Sequence, residues 1–470
     1  MSAPAATPTV GTRRSVAGVM TALLAACFAF QLNASMLSPA LALMEKQLDA
    51  TTAEIGLTQT AFFTAAALFS LFLPRLGDMI GRRRLLAWMM ALTALGCVVS
   101  ALAPNVTVLF LGRIVQGVAG PTVPLALIML RVAVPDPKRY AVLLGVVTAI
   151  NGGIAGVDAL AGGFLAEHYG FRSIFWVMAV IGVLAVLAVR YLTDESRVAV
   201  PQPMDWRGVA LLVVAVGCVL TAFNEAGKVA AAPWALVVVL LAVGIVAFVA
   251  FWKSEAASAH PLVPPAYLRS RATWALLGTS VLTMTGVFAV MNGIIPAIAQ
   301  DETVGAGIAA DVAPLVTLTP YALAGLVMGP IAGKLAGTFG YRAILRVGLV
   351  GTVVGLIACL ATVSNPAGWL LLGVSVFVGI TYAGIANIML NGLGIVLSPA
   401  DNPGYLPGLN AGALNLGAGL SFAVLFAVKT ALDAGGPAAG YSGAIIVGAV
   451  FLGLAFLMSL LIPKPAGDTA

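Results

Sequence analysis

The chain has 470 residues, 61% hydrophobic and only 9% charged, with a mean hydropathy of +1.05, a composition that excludes a soluble globular domain of this length. Its net charge of +6 is scattered between the apolar runs, so it makes no basic face for nucleic acid.

Runs of about 20 apolar residues recur from end to end, each long enough to cross a bilayer as a helix. Barrel strands would be shorter and would alternate. The expected fold is therefore an all-α membrane protein of about fourteen transmembrane helices. In chain order the spans cover residues 16–39, 55–73, 85–103, 106–130, 141–166, 173–192, 208–223, 233–252, 273–295, 312–335, 344–362, 369–397, 405–429 and 442–462.

An even count puts both ends on one side. With both ends cytoplasmic, nineteen of the lysines and arginines fall on inner segments and Lys46, Arg172, Lys228 and Lys429 on outer ones. That asymmetry is the one expected of a protein threaded through the cell membrane.

The segment Arg75–Arg84 reads as a short polar loop between the second and third spans, with four arginines, Asp78, and two glycines at Gly77 and Gly81. It is a topology anchor, and Asp78 would also accept bonds from a neighbouring helix N-terminus or an arginine. A weaker copy follows the tenth span, from Gly333 to Arg342, with Gly337 where the aspartate stood.

These two copies resemble the loop after the second helix in the major facilitator superfamily, roughly Gly-x-Leu-Ala-Asp-x-x-Gly-Arg-Arg. The resemblance implies a conformational latch at Gly77, Asp78, Gly81, Arg82 and Arg83. It also implies two six-helix halves with two additional helices between them. The expected divisions are a disordered cytoplasmic tail over 1–15, halves over 16–192 and 272–462, the additional helices within 193–271, and a second tail over 463–470.

A charge inside hydrocarbon is costly, so it marks a cavity or a partner. Arg113 and Gln116 lie one turn apart in Arg113-Ile114-Val115-Gln116-Gly117, which resembles the family's fourth-helix pattern Arg-x-x-Gln-Gly. In that family the arginine is linked to proton transfer; the alternative is a structural arginine. Asp158 is the carboxylate placed well inside a span, among Gly152, Gly156, Gly162 and Gly163. It is either the group that takes up and releases a proton or a structural partner of Arg113. Where the family's antiporter signature has Gly-Pro, this chain has Asp158 and Ala159. Asn33 stands in the first span, where fourteen-span antiporters often carry an aspartate.

Intramembrane amides and aromatics suggest a moderately polar substrate cavity, with Asn33, Gln59, Gln116, Asn151, Asn292, Tyr321, Asn387, Asn391 and Asn410 as candidates. Phe62, Phe63, Met284, Phe288 and Tyr382 could also line it. Asn387 and Asn391 share a helix face.

No catalytic constellation, metal-ligand spacing or nucleotide-binding Gly-x-x-x-x-Gly-Lys-Ser/Thr loop is present in the sequence. Cys27, Cys97, Cys218 and Cys359 all sit in apolar runs. The chain is expected to be no enzyme, to need no cofactor, metal or nucleotide, and to have as partners a small-molecule substrate, protons and the lipid bilayer. Duplicated halves make a monomer sufficient.

The resemblance to the fourteen-span drug:proton antiporter branch implies export of an amphipathic compound or drug by proton antiport with alternating access, hence multidrug efflux and antibiotic resistance. The alternative is a proton-coupled symporter or uniporter importing a small metabolite.

Overall fold

A computed structural model describes residues 15–134, 136–196, 203–226, 232–258, 261, 267, 269–399 and 405–465. The expected tails, except Ser15 and residues 463–465, and His260 lie outside them, as does the side chain of Asn151.

Helices account for nearly all the described residues. They are α1 (Val16–Ser35), α2 (Leu41–Leu48), α3 (Thr52–Ile80), α4 (Arg82–Ala101), α5 (Val106–Gln116), α6 (Thr122–Ala133), α7 (Pro137–Tyr169), α8 (Phe171–Leu192), α9 (Trp206–Ala226) and α10 (Trp234–Ala257). There follow α11 (Arg271–Ala289), α12 (Ile295–Gln300), α13 (Ala313–Val316), α14 (Leu318–Phe339), α15 (Tyr341–Ser364), α16 (Gly368–Val378), α17 (Asn387–Val396), α18 (Tyr405–Leu432) and α19 (Pro437–Ser459).

Local chemistry sets the starts. The Thr51 hydroxyl accepts from the Glu54 amide at 3.2 Å while the Glu54 carboxylate accepts from the Thr51 amide at 2.9 Å, a reciprocal cap on α3. Asn105 caps α5 through the Val108 amide and Asp136 caps α7 through the Arg139 amide.

Twelve helical stretches among the described residues are long and apolar enough to cross a membrane, two fewer than expected. The two outside that set are α7, which has 33 residues, and α9, whose apolar part is confined to Trp206–Val219. Helices α9 and α10 pack on each other, and α9 touches α3 and α18.

Two irregularities recur in order. The first and fourth long stretches of residues 16–192 are interrupted by 3₁₀ turns at Ser38–Ala40 and Gly117–Ala119. The first and fourth stretches after residue 270 are interrupted by π-helical turns at Val290–Ile294 and Gly379–Ala386. Such turns inside long helices free backbone groups and re-aim side chains.

Single glycines at positive φ also recur. Gly81 (φ 108°) joins α3 to α4 and Gly340 (φ 81°) joins α14 to α15; Gly170 and Gly436 repeat the device between α7 and α8 and before α19. Only glycine adopts these conformations readily, so at Gly81, Gly170 and Gly340 two helices meet with one residue between them.

This corrects the reading of residues 75–84 as a loop. Helix α3 runs through Arg75, Gly77 and Asp78 to Ile80, and α4 starts at Arg82. Pro74 and the charged residues read as a loop, yet the helix absorbs them because one glycine suffices for the turn. Lys429, expected on an outer segment, is buried within α18 and pairs with Asp433 one turn on at 3.0 Å.

A seam intramembrane cluster and a charged helix joint

Arg113 is fully buried on α5. Its Nη1 donates to the Gln116 Oε1 at 2.6 Å and to the Asn33 carbonyl at 3.1 Å, its Nη2 to the Gln59 Oε1 at 2.8 Å, and its Nε to the Thr58 carbonyl at 3.4 Å. The guanidinium carbon lies 4.3 Å from the centre of the Phe62 ring. Every hydrogen-bond partner is neutral, so the charge is held by dipoles and a π face rather than by a carboxylate. Gln116 passes a bond on to the Ser100 hydroxyl at 2.8 Å. Asn33 donates to the Ala29 carbonyl and accepts from the Cys97 thiol. The pairing of Arg113 with Asp158, one of the two expected alternatives, is absent from the contacts of both side chains.

Asp158 is buried on α7, and its Oδ2 lies 2.5 Å from the Ser35 hydroxyl on α1. Ser35 also faces the Gln31 carbonyl, an acceptor, and the Gln31 Nε2, a donor, each at 3.0 Å. The hydroxyl can therefore donate to an ionised Asp158 or, turning to the Gln31 carbonyl, accept from a protonated one. Among the described residues, Asp158 Oδ1 and Gln59 Nε2 find no hydrogen-bond partner and are buried. Asn33 and Ser35 are two residues apart, so the end of α1 links the arginine and the carboxyl.

Small residues bring α7 to the seam between residues 16–192 and the later helices. A Cβ on Gly162 would overlap the Met36 carbonyl, and one on Gly163 the Ala310 carbonyl. The Thr319 hydroxyl donates to the Gly156 carbonyl at 2.8 Å, and the Ala310 amide to Glu167 at 3.3 Å. Aromatic rings cross the same seam. Phe62 and Phe63 of α3 are 4.9 Å apart, and Phe63 meets Phe288 at 5.1 Å and Phe422 at 6.3 Å.

The other expected cavity residues divide. Asn410 is buried, accepting from Ser280 at 2.6 Å and donating to the Leu390 carbonyl. Asn292 lies in the π turn and donates to the Phe288 carbonyl. Tyr321 stacks on Tyr382, whose hydroxyl donates to the Met284 sulfur. Asn391 is exposed and donates to Asn387.

At the arginine-rich joint, Arg82 of α4 pairs across Gly81 with Asp78 of α3 at 2.7 Å. The new member is Glu195, which sequence reasoning missed. Its carboxylate accepts from the Arg83 amide at 3.0 Å and lies 3.8 Å from Nε of both Arg83 and Arg84. The Ser196 carbonyl accepts from the Arg82 amide. The segment after α8 thus caps the start of α4. Gly81 lies so close that a Cβ there would meet the Glu195 carboxylate at 2.5 Å, and Gly77 packs against Leu85. Arg75 binds the carbonyls of Pro203 and Pro261. Ser35 and Phe422 were also missed as site members; Ser35 had a signal, lying two residues from Asn33.

Comparison with known proteins follows the same lines. The chain is 57% identical over 455 residues, 96% of its length and 95% of the relative's, to the uridine/deoxyuridine transporter of Lactococcus lactis subsp. cremoris. It is 28% identical, over 78% of its length and 67% of the relative's, to the multidrug resistance protein Stp of Mycobacterium tuberculosis. In fold it is similar to a point mutant of the nucleoside transporter NupG, with a TM-score of 0.65 at 12% identity, over 95% of this chain and all of that one.

This gradient overturns the expected drug export by proton antiport, and with it multidrug efflux and antibiotic resistance: the drug-resistance likenesses are the distant ones. The chain is a multi-pass integral membrane transporter rather than an enzyme. The Major Facilitator Superfamily model matches residues 23–422, and the chain belongs to that superfamily.

Proposed function

We propose that this protein carries pyrimidine nucleosides, uridine and deoxyuridine among them, inward across the cell membrane. The observation that carries the reading is the 57% identity to a uridine/deoxyuridine transporter along nearly the whole of both chains. The site chemistry is compatible with such a solute. A uracil ring offers a flat face for aromatic side chains, carbonyl acceptors and an imide donor. The buried Gln59 Nε2 and Asp158 Oδ1 are the matching unpartnered groups, and leaving such groups unpaired is costly. Gln59, Asn151, Asn292, Tyr321, Asn387 and Asn391 are the proposed cavity contacts. Asn33, Gln116 and Asn410, bonded within the protein, position their neighbours.

In this reading α7 and α9 also cross the membrane, giving fourteen spans with both ends cytoplasmic. Residues 16–192 and 272–462 are the two halves, with α9 and α10 between them. Asp158 takes up a proton with the substrate, and Arg113 steadies the cavity's potential. Asp78, Arg82 and Arg83, with Gly77 and Gly81, form the latch, now with Glu195 as its acid. A single chain suffices.

The test is uptake of radiolabelled uridine into proteoliposomes with and without an inward proton gradient, with deoxyuridine and an amphipathic dye cation as competitors. Uridine accumulates, deoxyuridine competes and the dye does not. In Asp158→Asn, uptake falls about tenfold or more, in the range of lost proton-transfer groups, and what remains ignores the gradient. Dye competition without uridine uptake sinks the substrate assignment; an unchanged gradient response in Asp158→Asn sinks the proton site.

A further inference from the structure

Between the first turns of α4 and the last turns of α8 lies a surface groove of about 420 Å³. Arg83, Arg84 and Arg190 rim it, Trp88 stands beside them, and Ala91 and Val186 form part of its floor. None of these arginines belongs to the intramembrane cluster, and the transport cycle proposed above makes no use of the groove itself.

Its charge is unbalanced. Arg82 is already matched by Asp78. Among the ion pairs of the described residues, the other three arginines meet one carboxylate, that of Glu195, which lies no nearer than 3.8 Å to Nε of Arg83 or Arg84. The Arg84 side chain stays 63% exposed despite that neighbour. Arg190, in the last turn of α8, makes no ion pair among the described residues.

The groove also points to a ligand with two parts. Its arginines sit at helix ends, where the membrane gives way to water. Trp88 is largely exposed one turn further in, the depth at which indole rings settle in headgroups. Beyond it, Leu92 and Leu95 of α4 and Val183 and Leu187 of α8 are exposed and apolar. An inorganic anion would answer the arginines and leave the apolar track bare. A neutral lipid would cover the track and leave the charge. Guanidinium groups bind phosphate oxygens in paired bonds, and basic pockets between membrane helices suit anionic headgroups.

We propose that this groove is a binding site for one anionic phospholipid, its phosphodiester held by Arg83, Arg84 and Arg190 and one acyl chain lying along α4 and α8. Because Arg83 and Arg84 are shared with Glu195, an occupying headgroup also draws them from the carboxylate that caps α4.

The test is native mass spectrometry of the full chain in detergent with equal amounts of phosphatidylglycerol and phosphatidylcholine of the same acyl chains. Wild type retains phosphatidylglycerol in excess. Arg84→Gln with Arg190→Gln lowers that excess about thirtyfold, on the scale of two surface charges near a headgroup. Val186→Trp keeps every arginine but fills the floor, and lowers it too; it decides the matter should the double variant fail to fold. Equal retention of the two lipids by wild type, or an excess unmoved by a folded variant, overturns the site. Thermal protection by inorganic phosphate equal to that by phosphatidylglycerol overturns the lipid assignment in favour of a free-anion site.

Discussion

At the scale of single residues, the burial of Arg113 among neutral acceptors has a direct cost when it is removed. Arg113→Gln would strand the Gln59 and Gln116 oxygens and the Asn33 carbonyl that it now serves. Each buried unpaired group costs about 1–3 kcal/mol, so the variant melts well below wild type in detergent, while Arg113→Lys, restoring part of the bonding, falls between. Equal melting of all three would show that water already serves those acceptors. Asp301, just outside the membrane-spanning segments, behaves differently. Partial burial pushes its carboxyl up, but bonds from the Thr303 hydroxyl and amide, the Val304 amide and the Tyr441 hydroxyl outweigh that and hold it below the usual carboxylate range. A lowered carboxyl contributes stability that is whole above the ordinary value of about 3.9 and is lost as pH falls through the lowered one. Melting followed from pH 7 into this acid range drops more steeply for wild type than for Asp301→Asn; parallel curves would refute it.

The residue scale is also where sequence reading was least able to reach the site. Arg113 and Asp158 were visible because a charge in an apolar run is conspicuous. Their partners were not. Ser35 looks like any hydroxyl on a helix, and only the crossing of α1 with α7 makes it the neighbour of Asp158. Glu195 sits 112 positions from Arg83, a separation no local pattern bridges. The drug-export expectation failed for a related reason: it rested on the span count, the two loop copies and the Arg113 pattern, none of which names a substrate.

At the scale of elements, the periodicity placed the helices well, since a run of about 20 apolar residues has few other uses. It erred where polar residues continue a helix, as from Arg75 to Ile80. The two joints make a matched comparison. Gly81→Ala and Gly340→Ala both force a side chain into positive φ, at about 1–2 kcal/mol. Only Gly81 also faces the Glu195 carboxylate. Gly81→Ala therefore lowers the melting temperature more than Gly340→Ala, and Glu195→Ala in the same chain brings the two losses together. Identical losses in both single variants would mean that Glu195 yields freely.

At the scale of the whole molecule, the contacts between residues 16–192 and the later helices include those of Gly163, Glu167 and the phenylalanine rings. If the seam opens during transport, fixing it stops the cycle. A chain carrying Glu167→Cys and Ala310→Cys, treated with a short bifunctional thiol reagent, loses uridine uptake, and each single variant treated alike keeps it. Continued uptake by the linked protein would place the moving gate elsewhere.

The one-residue joints at Gly81, Gly170 and Gly340 bear on biosynthesis as well as on motion. Helices so joined leave no slack chain to be threaded ahead of the next segment. Each such pair is therefore suited to entering the bilayer together as a hairpin rather than one helix at a time.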